Sequence, residues 1–296
     1  MQPVAPAHEV FERERRRLIS VAYGLLGSLA EAEDVLQDAY LRLEQTDFQS
    51  LRQPEAWLTT VVSRLALDRL RSAQHRRETY PGEWLPEPVF DAPLAEQNEI
   101  TRSRLSVAFL YLLEQLKPEE RVVFVLREVF EYGYRDIAEM LGKSEAACRQ
   151  MMTRARARVE QGQPQPTEDS ASLRPVVERF IVALAAGDEQ ALLSLLAPNA
   201  VLVADGGGKV RSVINPIRGA QRIVRFFQGL SRKYPGRYAQ TPATVNSGPG
   251  FVTFAERELS SVTALTWDGE RITQLCVVLN PEKLGPKEKA AAFRAP

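Results

Sequence analysis

The chain has 296 residues, about twice the length of a typical single domain, so two or three compact domains are expected. Its 38 Lys/Arg balance 38 Asp/Glu, which argues against a chain uniformly adapted to a polyanion, and a hydrophobic fraction of 44% suffices to build cores. No apolar run nears the roughly 18 residues needed to cross a bilayer. The opening MQPVAPAHEVFERERRR lacks the apolar stretch of a secretion signal. A cytoplasmic location with no membrane partner is expected. Cys148 and Cys276 stand far apart without CxxC spacing, and the two histidines, His8 and His75, form no cluster. That pattern supports neither a zinc site nor a disulfide framework, so no metal and no cofactor are expected.

Through the first 160 residues apolar positions recur at three- and four-residue spacing, which predicts helices. Leu18, Val21, Ala22, Leu25 and Leu26 form one stripe; Val35, Ala39, Leu41 and Leu43 roughly continue the pattern. A bundle is predicted over residues 8–78. TYPGEWLPEPVFDAPL, residues 79–94, carries four prolines and a glycine, and proline cannot extend a helix, so 79–95 reads as a linker. A second helical domain is predicted over 96–160, then a polar, proline-containing linker over 161–172. Beyond it the pattern changes. A helix from Leu173 to Ala186, ended by Gly187, precedes another at 188–196; the runs AVLVAD, KVRSVI, GFVTFAERELSSVTALTW and ERITQLCVVL have strand character. Asp268-Gly269 is the two-residue signal of a tight hairpin. The segment 173–284 is therefore α+β, followed by a tail at 285–296.

Charge is uneven along the chain. Residues 1–165 hold 22 Lys/Arg and 26 Asp/Glu, whereas 166–296 hold 16 and 12. Inside the acidic part lie two basic helices: Arg64, Arg69, Arg71, Arg76 and Arg77 against Asp68, and a Lys143–Arg158 segment with five basic residues against Glu145. A cluster of like charges is commonly a solvated helix face. Two of them, each at the end of a helical domain, favour nucleic acid, because phosphate contacts need charge only where the duplex lies. YRDIAEMLGKSEAACRQMMTRARAR, residues 134–158, fits a helix-turn-helix. Ile137, Ala138 and Leu141 make the buried face of its first helix, Gly142 tolerates the turn, and Ser144 caps the second helix. Cys148, Met152, Ala155 and Val159 share the buried face of that second helix, while its other face presents Ala146, Arg149, Gln150, Thr153 and Arg156, side chains able to hydrogen-bond base edges or phosphates in a major groove. An ordinary helical hairpin has the same turn and stripe, but cap, turn and basic outer face together favour DNA binding.

The helical part resembles bacterial RNA polymerase sigma factors of the extracytoplasmic-function group. AYGLLGSLAEAEDVLQDAYLRL (22–43) resembles the family's regions 2.1 to 2.2, EAWLTTVVSRLALDRLRSAQHRRE (55–78) its regions 2.3 to 2.4, and residues 116–158 its region 4. The resemblance implies RNA polymerase core as a partner. Asp34, Gln37, Asp38 and Leu41 would dock on the β′ clamp helices, an acidic, amide-bearing face suited to a basic partner, and region 4 would meet the β flap. It also implies promoter DNA. Phe48 lies in the loop, Thr46 to Pro54, where the family captures a base that leaves the −10 stack. Arg64, Arg69, Arg71, Arg76 and Arg77 would track the −10 backbone, and Lys143, Ser144, Ala146, Arg149, Gln150, Thr153, Arg154 and Arg156 would serve the −35 groove.

A subset of this group carries a C-terminal SnoaL-like domain with the NTF2-like cone fold, and three motifs resemble it: WLPEP at 84–88, DGGGK at 205–209 and NPEKL at 280–284. The fold expected is multidomain: two all-α sigma domains, the region 2 bundle and the region 4 helix-turn-helix, followed by an α+β NTF2-like/SnoaL-like cone. The resemblance implies that Asp205, Gly206, Gly207, Gly208 and Lys209, with Asn280, Pro281, Glu282, Lys283 and Leu284, face the sigma part through Trp84, Leu85 and Pro86, and regulate it in cis. Trp84 has nothing local to bury it, and the N–H groups of Gly206 to Gly208 are suited to bind a carboxylate or carbonyl; a plain Gly-rich turn fits the same residues. Related cones include enzymes, but this domain has no histidine; Glu256 and Glu258 alternate with apolar neighbours, so at least one is expected to face inward. Without a paired acid and base, no catalysis is expected. An unknown small ligand in the C-terminal domain stays open, as does the rival reading of a ligand-responsive stand-alone DNA-binding regulator.

Overall fold

The computed structural model describes residues 7–90, 105–160 and 173–285, and only the backbone at 74–78 and 160. The chain divides into two compact units: 7–78 with 112–160, and 79–90 with 105–111 and 173–285. The first unit is all helix. Helix α1 (Ala7–Leu26) ends at Gly27, whose φ of 69° makes the turn, and Ser28 caps α2 (Leu29–Glu44) by accepting the Glu31 N–H at 3.3 Å. A short 3-10 turn, Phe48–Ser50, leads to α3 (Pro54–Glu78). Leu18, Val21, Ala22, Leu25 and Leu26 are buried as the spacing predicts, with Val35, Ala39 and Leu43, but Leu41 is 48% exposed. Leu41 falls two residues before Leu43 on a helix, which turns it away from the shared face.

The chain then contributes α4 (Val107–Leu113), α5 (Pro118–Phe124) with a π-helical turn at Val125–Val129, α6 (Tyr134–Leu141) and α7 (Glu145–Glu160). Gly142, at φ 62°, ends α6, and the Ser144 hydroxyl accepts the Ala147 N–H at 3.2 Å, so α6 and α7 form the helix-turn-helix by the expected devices. Its buried face differs from the expected one at two points. Met140, not Leu141, is buried beside Ile137 and Ala138, and Met151 joins Cys148, Met152, Ala155 and Val159.

The second unit is α+β. Helices α8 (Arg174–Ala186) and α9 (Glu189–Leu195) precede β1 (Leu196–Asp205), β2 (Ile217–Arg218), α10 (Ala220–Lys233), β3 (Tyr238–Val245), β4 (Gly248–Ala255), β5 (Glu258–Trp267) and β6 (Ile272–Val278). One mixed sheet runs β2-β1-β6-β5-β4-β3; β1 and β6 are parallel and the other neighbours antiparallel. KVRSVI forms no strand; β2 lies just beyond it. GFVTFAERELSSVTALTW is two strands joined at Glu256 and Arg257, both at positive φ, and Asp268-Gly269 sits in a four-residue loop between the paired Trp267 and Ile272. β3 is an edge strand, where Pro242 costs no interior ladder bond.

Alternation along the strands gives the sheet two apolar faces. Leu202, Ala204, Phe251, Leu265 and Leu275 pack with α8, α9 and α10 around the fully buried Phe180. Val203, Val252, Phe254, Val262, Cys276 and Val278 make the other face, covered by Leu85, Val107, Ala108 and Leu284. Truncating Phe180 to Ala should cost about 3 kcal/mol or more, the range for a buried phenyl group. Amide exchange by mass spectrometry should then quicken through β1, β4 and β6 and leave α1 to α3 protected.

Candidate functional site

Asp205 ends β1 with its side chain at 0% exposure. A buried carboxylate costs several kcal/mol unless its lone pairs are filled. Four donors fill them here: Oδ1 accepts from the Tyr80 hydroxyl at 2.6 Å and the Gly207 N–H at 2.9 Å, and Oδ2 from the Leu85 N–H at 2.9 Å and Lys283 Nζ at 2.7 Å. Lys283 also donates to the Leu85 carbonyl at 2.6 Å and lies 3.8 Å from the centroid of the Trp84 ring. A cation over an indole face is attracted by its quadrupole. Asn280 donates to the Tyr80 hydroxyl at 3.0 Å and caps the NPEKL turn by accepting the Glu282 N–H at 3.1 Å. The three motifs therefore converge: the linker supplies Tyr80, Trp84 and Leu85, the glycine turn Asp205, and the last turn Asn280 and Lys283.

One of the three glycine N–H groups is engaged within the domain itself. The Gly207 N–H returns to the Asp205 carboxylate; Gly206 accepts from Lys209 and Val210. Gly207 and Gly208 have positive φ, and a Cβ would strike Asn280 at the first and Pro81, at 2.6 Å, at the second. Lys209 pairs with the exposed Glu282, Pro281 is exposed, and Leu284 is buried with Leu85. Pro86 and Pro88 are buried as well.

Asn246 escaped the sequence reading. It sits at φ 49° in the β3–β4 turn at 1% exposure. Its Oδ1 accepts the Val89 N–H at 2.9 Å, its Nδ2 donates to the Leu105 carbonyl at 3.0 Å, and its own N–H donates to the Val89 carbonyl at 2.9 Å. One amide thus holds both Val89 and Leu105. The only signal in the sequence is the turn composition of Asn246-Ser247-Gly248.

In the first unit the basic residues are largely engaged. Arg64 donates to the carbonyls of Met140 (2.7 Å) and Glu139 (3.2 Å) at the end of α6. Arg69 bridges Asp34 and Asp38 at 3.2 and 2.8 Å. Arg71 meets Glu119 at 2.7 Å, which Lys143 also meets at 3.2 Å. Arg17, Thr59 and Tyr132 form a further hydrogen-bonded group. The side chains of Arg76 and Arg77 lie outside the described residues. Gln37 is exposed beside Asp34, and Phe48 is half-buried.

On α7, Ala146, Arg149, Gln150, Thr153, Arg154 and Arg156 are all exposed, as is the cap Ser144. Arg149 pairs with Glu145 at 2.8 Å and lies over Tyr134, and Arg156 meets Glu128 at 2.5 Å. Arg154 and Arg158 both meet Glu120, which is 3% exposed, so Arg154 is tied to the domain's own packing. In the C-terminal domain Glu256 and Glu258 are both exposed, contrary to the inward position expected for at least one; the tight turn at 256–257 lifts them off the sheet. Cys148 and Cys276 are buried, and burial pushes the Cys276 thiol up to about 12. Among the described residues no helix is long and apolar enough to cross a membrane.

Comparison with known proteins agrees with this geometry. Residues 10–76 match the family described as sigma-70 region 2, and 106–159 match sigma-70, region 4. The ECF RNA polymerase sigma factor SigJ of Mycobacterium tuberculosis (strain H37Rv) is 41% identical over 293 residues, covering 92% of this chain and 91% of the relative. The chain belongs to the extracytoplasmic-function RNA polymerase sigma factors. A second relative, the probable sigma factor SigI of M. tuberculosis (strain H37Rv), is 31% identical over 95% of this chain and 96% of its own length. The crystal structure of M. tuberculosis SigJ aligns with a TM-score of 0.76 and 37% identity, covering 93% of this chain and 97% of that one. As a sigma factor the protein works with RNA polymerase core and promoter DNA, and its last domain is α+β.

Burial and the hydrogen bond to Asp205 raise the Tyr80 hydroxyl well above its ordinary value of 10.0; burial and Glu83, at 2.7 Å, do the same for Tyr111. Because the folded value is raised, the stability these phenols contribute is fully present below pH 10 and is lost as pH rises through the higher folded value. Phenolate absorbance should show late-titrating tyrosines, Tyr80 and Tyr111 among them. Tyr80→Phe should remove one of them and weaken the alkaline loss of linker protection against proteolysis.

Proposed function

We propose that this sigma factor directs initiation by reading −10 and −35 elements and carries its regulator in its own chain, with the 79–90 linker as the regulated part. The observation that carries the reading is Asp205: two of the four donors on this buried carboxylate, Tyr80 and Leu85, come from the linker. Residues 79–105 join region 2 to region 4, and a free segment of that length would reach up to roughly 90 Å when extended. Seating on Asp205, Lys283 and Asn246 removes that freedom. The spacing of the two DNA-reading regions is then set by a folded domain in place of a separate inhibitor.

In this reading Asp34, Gln37, Asp38 and Leu41 dock on the β′ clamp helices, region 4 meets the β flap, and Phe48 borders the pocket for a flipped −10 base. Arg64, Arg69, Arg71, Arg76 and Arg77 serve the −10 backbone, and the exposed face of α7 serves the −35 groove. Arg64, Arg69 and Arg71 must exchange their present partners for phosphate, so the unit rearranges on promoter binding. The protein acts in the cytoplasm by positioning polymerase and makes no covalent bond. Any small ligand of the C-terminal domain would act through the same seat.

Run-off transcription with purified core polymerase tests this. Asp205→Ala, Asn246→Ala and a truncation near residue 165 should all shift promoter output in the same direction, with affinity for core polymerase within about twofold of the parent. Opposite shifts, or unchanged output in all three, would remove the linker from the mechanism. Promoter-independent initiation by every form would remove the −10 and −35 assignments.

A further inference from the structure

We propose that α10 carries an additional, sequence-independent site for duplex DNA, formed by Arg222, Arg225, Arg232 and Lys233. From Gly206 to Ala255 the chain holds eight Lys/Arg and no Asp/Glu, in a protein whose total charge is zero. Two of the eight are consumed in ion pairs, Lys209 with Glu282 and Arg237 with Glu256. Half of the eight gather on one helix. At 3.6 residues per turn, positions 222, 225, 229, 232 and 233 fall within an arc of about 100°. Ala220, Ile223 and Val224 are buried on the opposite side. All four cations are exposed, and no carboxylate lies within ion-pair distance of Arg222, Arg225 or Arg232 among the described residues. Like charges three residues apart on a helix repel, and nothing in the second unit's packing asks for them.

Gly229 is the second observation. It stands at the centre of the arc, where an added Cβ would meet nothing within 4 Å. Glycine is disfavoured in a helix interior, yet neither packing nor a turn requires it here. A point without a side chain among four cations allows a rod-like polyanion to approach the helix backbone closely. From Arg222 to Lys233 the stripe runs roughly 17 Å at 1.5 Å per residue, enough for several successive phosphates of one DNA strand. No position within the arc is aromatic, and the one ring at its C-terminal end, Tyr234, is already covered by Lys233 at 5.3 Å, so unpaired bases have no row of rings to stack on, which favours a duplex over single-stranded nucleic acid. The inference rests on the sigma-factor reading. DNA held by regions 2 and 4 is presented to this domain at high effective concentration, so a site too weak to act alone contributes.

The test uses full-length protein bound to core polymerase, on promoter fragments with long flanks of two unrelated sequences and on a fragment trimmed to the promoter elements. In Arg222→Ala/Arg225→Ala/Arg232→Ala the slope of log affinity against log salt should shrink by about 2 to 3, near 0.9 per lost phosphate contact. The change should be equal on both flanks and absent on the trimmed fragment. The corresponding triple Lys variant should restore the slope. An unchanged slope on long fragments, a change confined to one flank sequence, or a loss seen only with RNA would overturn the proposal. The start site should be the same in parent and variant; if the parent itself selects no promoter, the sigma-factor reading fails separately.

Discussion

A carboxylate with no solvent exposure is the constraint on which the second unit depends. Asp205 is accommodated inside the protein because its oxygens are filled, and its four donors come from three separated segments. Removing any one donor from a buried acceptor costs about 1–3 kcal/mol, more where the group is charged. The backbone follows the side chain. The Asp205 carbonyl accepts the N–H groups of Leu279 and Asn280 at 2.8 and 2.9 Å, so the end of β1 also fixes the turn that aims Lys283. A single residue thus sets the linker, the glycine turn and the last turn in register.

That arrangement explains why the sheet needs the linker. An antiparallel or mixed sheet with both faces apolar must cover both. Three helices of the same domain cover one face; the other would leave Val203, Val252, Phe254, Val262 and Val278 to water without Leu85 and the start of α4. The polar and apolar halves of the seat therefore cooperate. Leu85 enters the apolar face with its N–H on Asp205 and its carbonyl on Lys283, so burying the side chain leaves neither backbone group unsatisfied. Asn246 repeats the device at the far end of the segment, on Val89 and Leu105. The C-terminal domain and the linker fold as one body, which is why a boundary drawn from proline content alone separates residues that the packing joins.

Much of this was legible in the sequence, and the exceptions have physical causes. Helices with a continuous apolar stripe, such as that from Leu18 to Leu26, were readable because their period is dictated by a core that lies close in sequence. The helix-turn-helix was readable from Gly142 and Ser144, whose roles are local. The failures involve long-range geometry. β3 is not among the predicted strands, because Pro242 is compatible with a strand only at a sheet edge; α10 is not among the predicted helices either, although Ile223, Val224, Phe227 and Leu230 recur at helical spacing opposite its cations. The hairpin at Glu256-Arg257 uses positive φ without glycine. Of the linker site, the motifs were visible and their partners were not. Tyr80 and Asn246 lie outside WLPEP, DGGGK and NPEKL, and only the fold brings them to the same carboxylate and the same segment.

Zero net charge takes on a different meaning once pairing is traced. In the first unit cations and anions answer one another: Arg69 with Asp34 and Asp38, Arg71 and Lys143 with Glu119, Arg154 and Arg158 with Glu120. The more exposed of these pairs, those of Arg71 and Lys143 with Glu119, contribute little stability each, about 0–1 kcal/mol, so their exchange for phosphate is energetically accessible, whereas the pairs on the buried Glu120 belong to the domain's packing. They hold the attraction for DNA in check without abolishing it. In the second unit the balance fails locally, since eight cations occur in fifty residues without one carboxylate. A field of that kind falls off within about 10 Å at moderate salt, too short a range to gather DNA from solution but long enough to hold a duplex already delivered. Under the proposed function, neutrality overall and a basic stripe on one helix are consistent demands: a factor that reads promoters only with polymerase has reason to ignore DNA when alone and to grip it once polymerase has brought the two together.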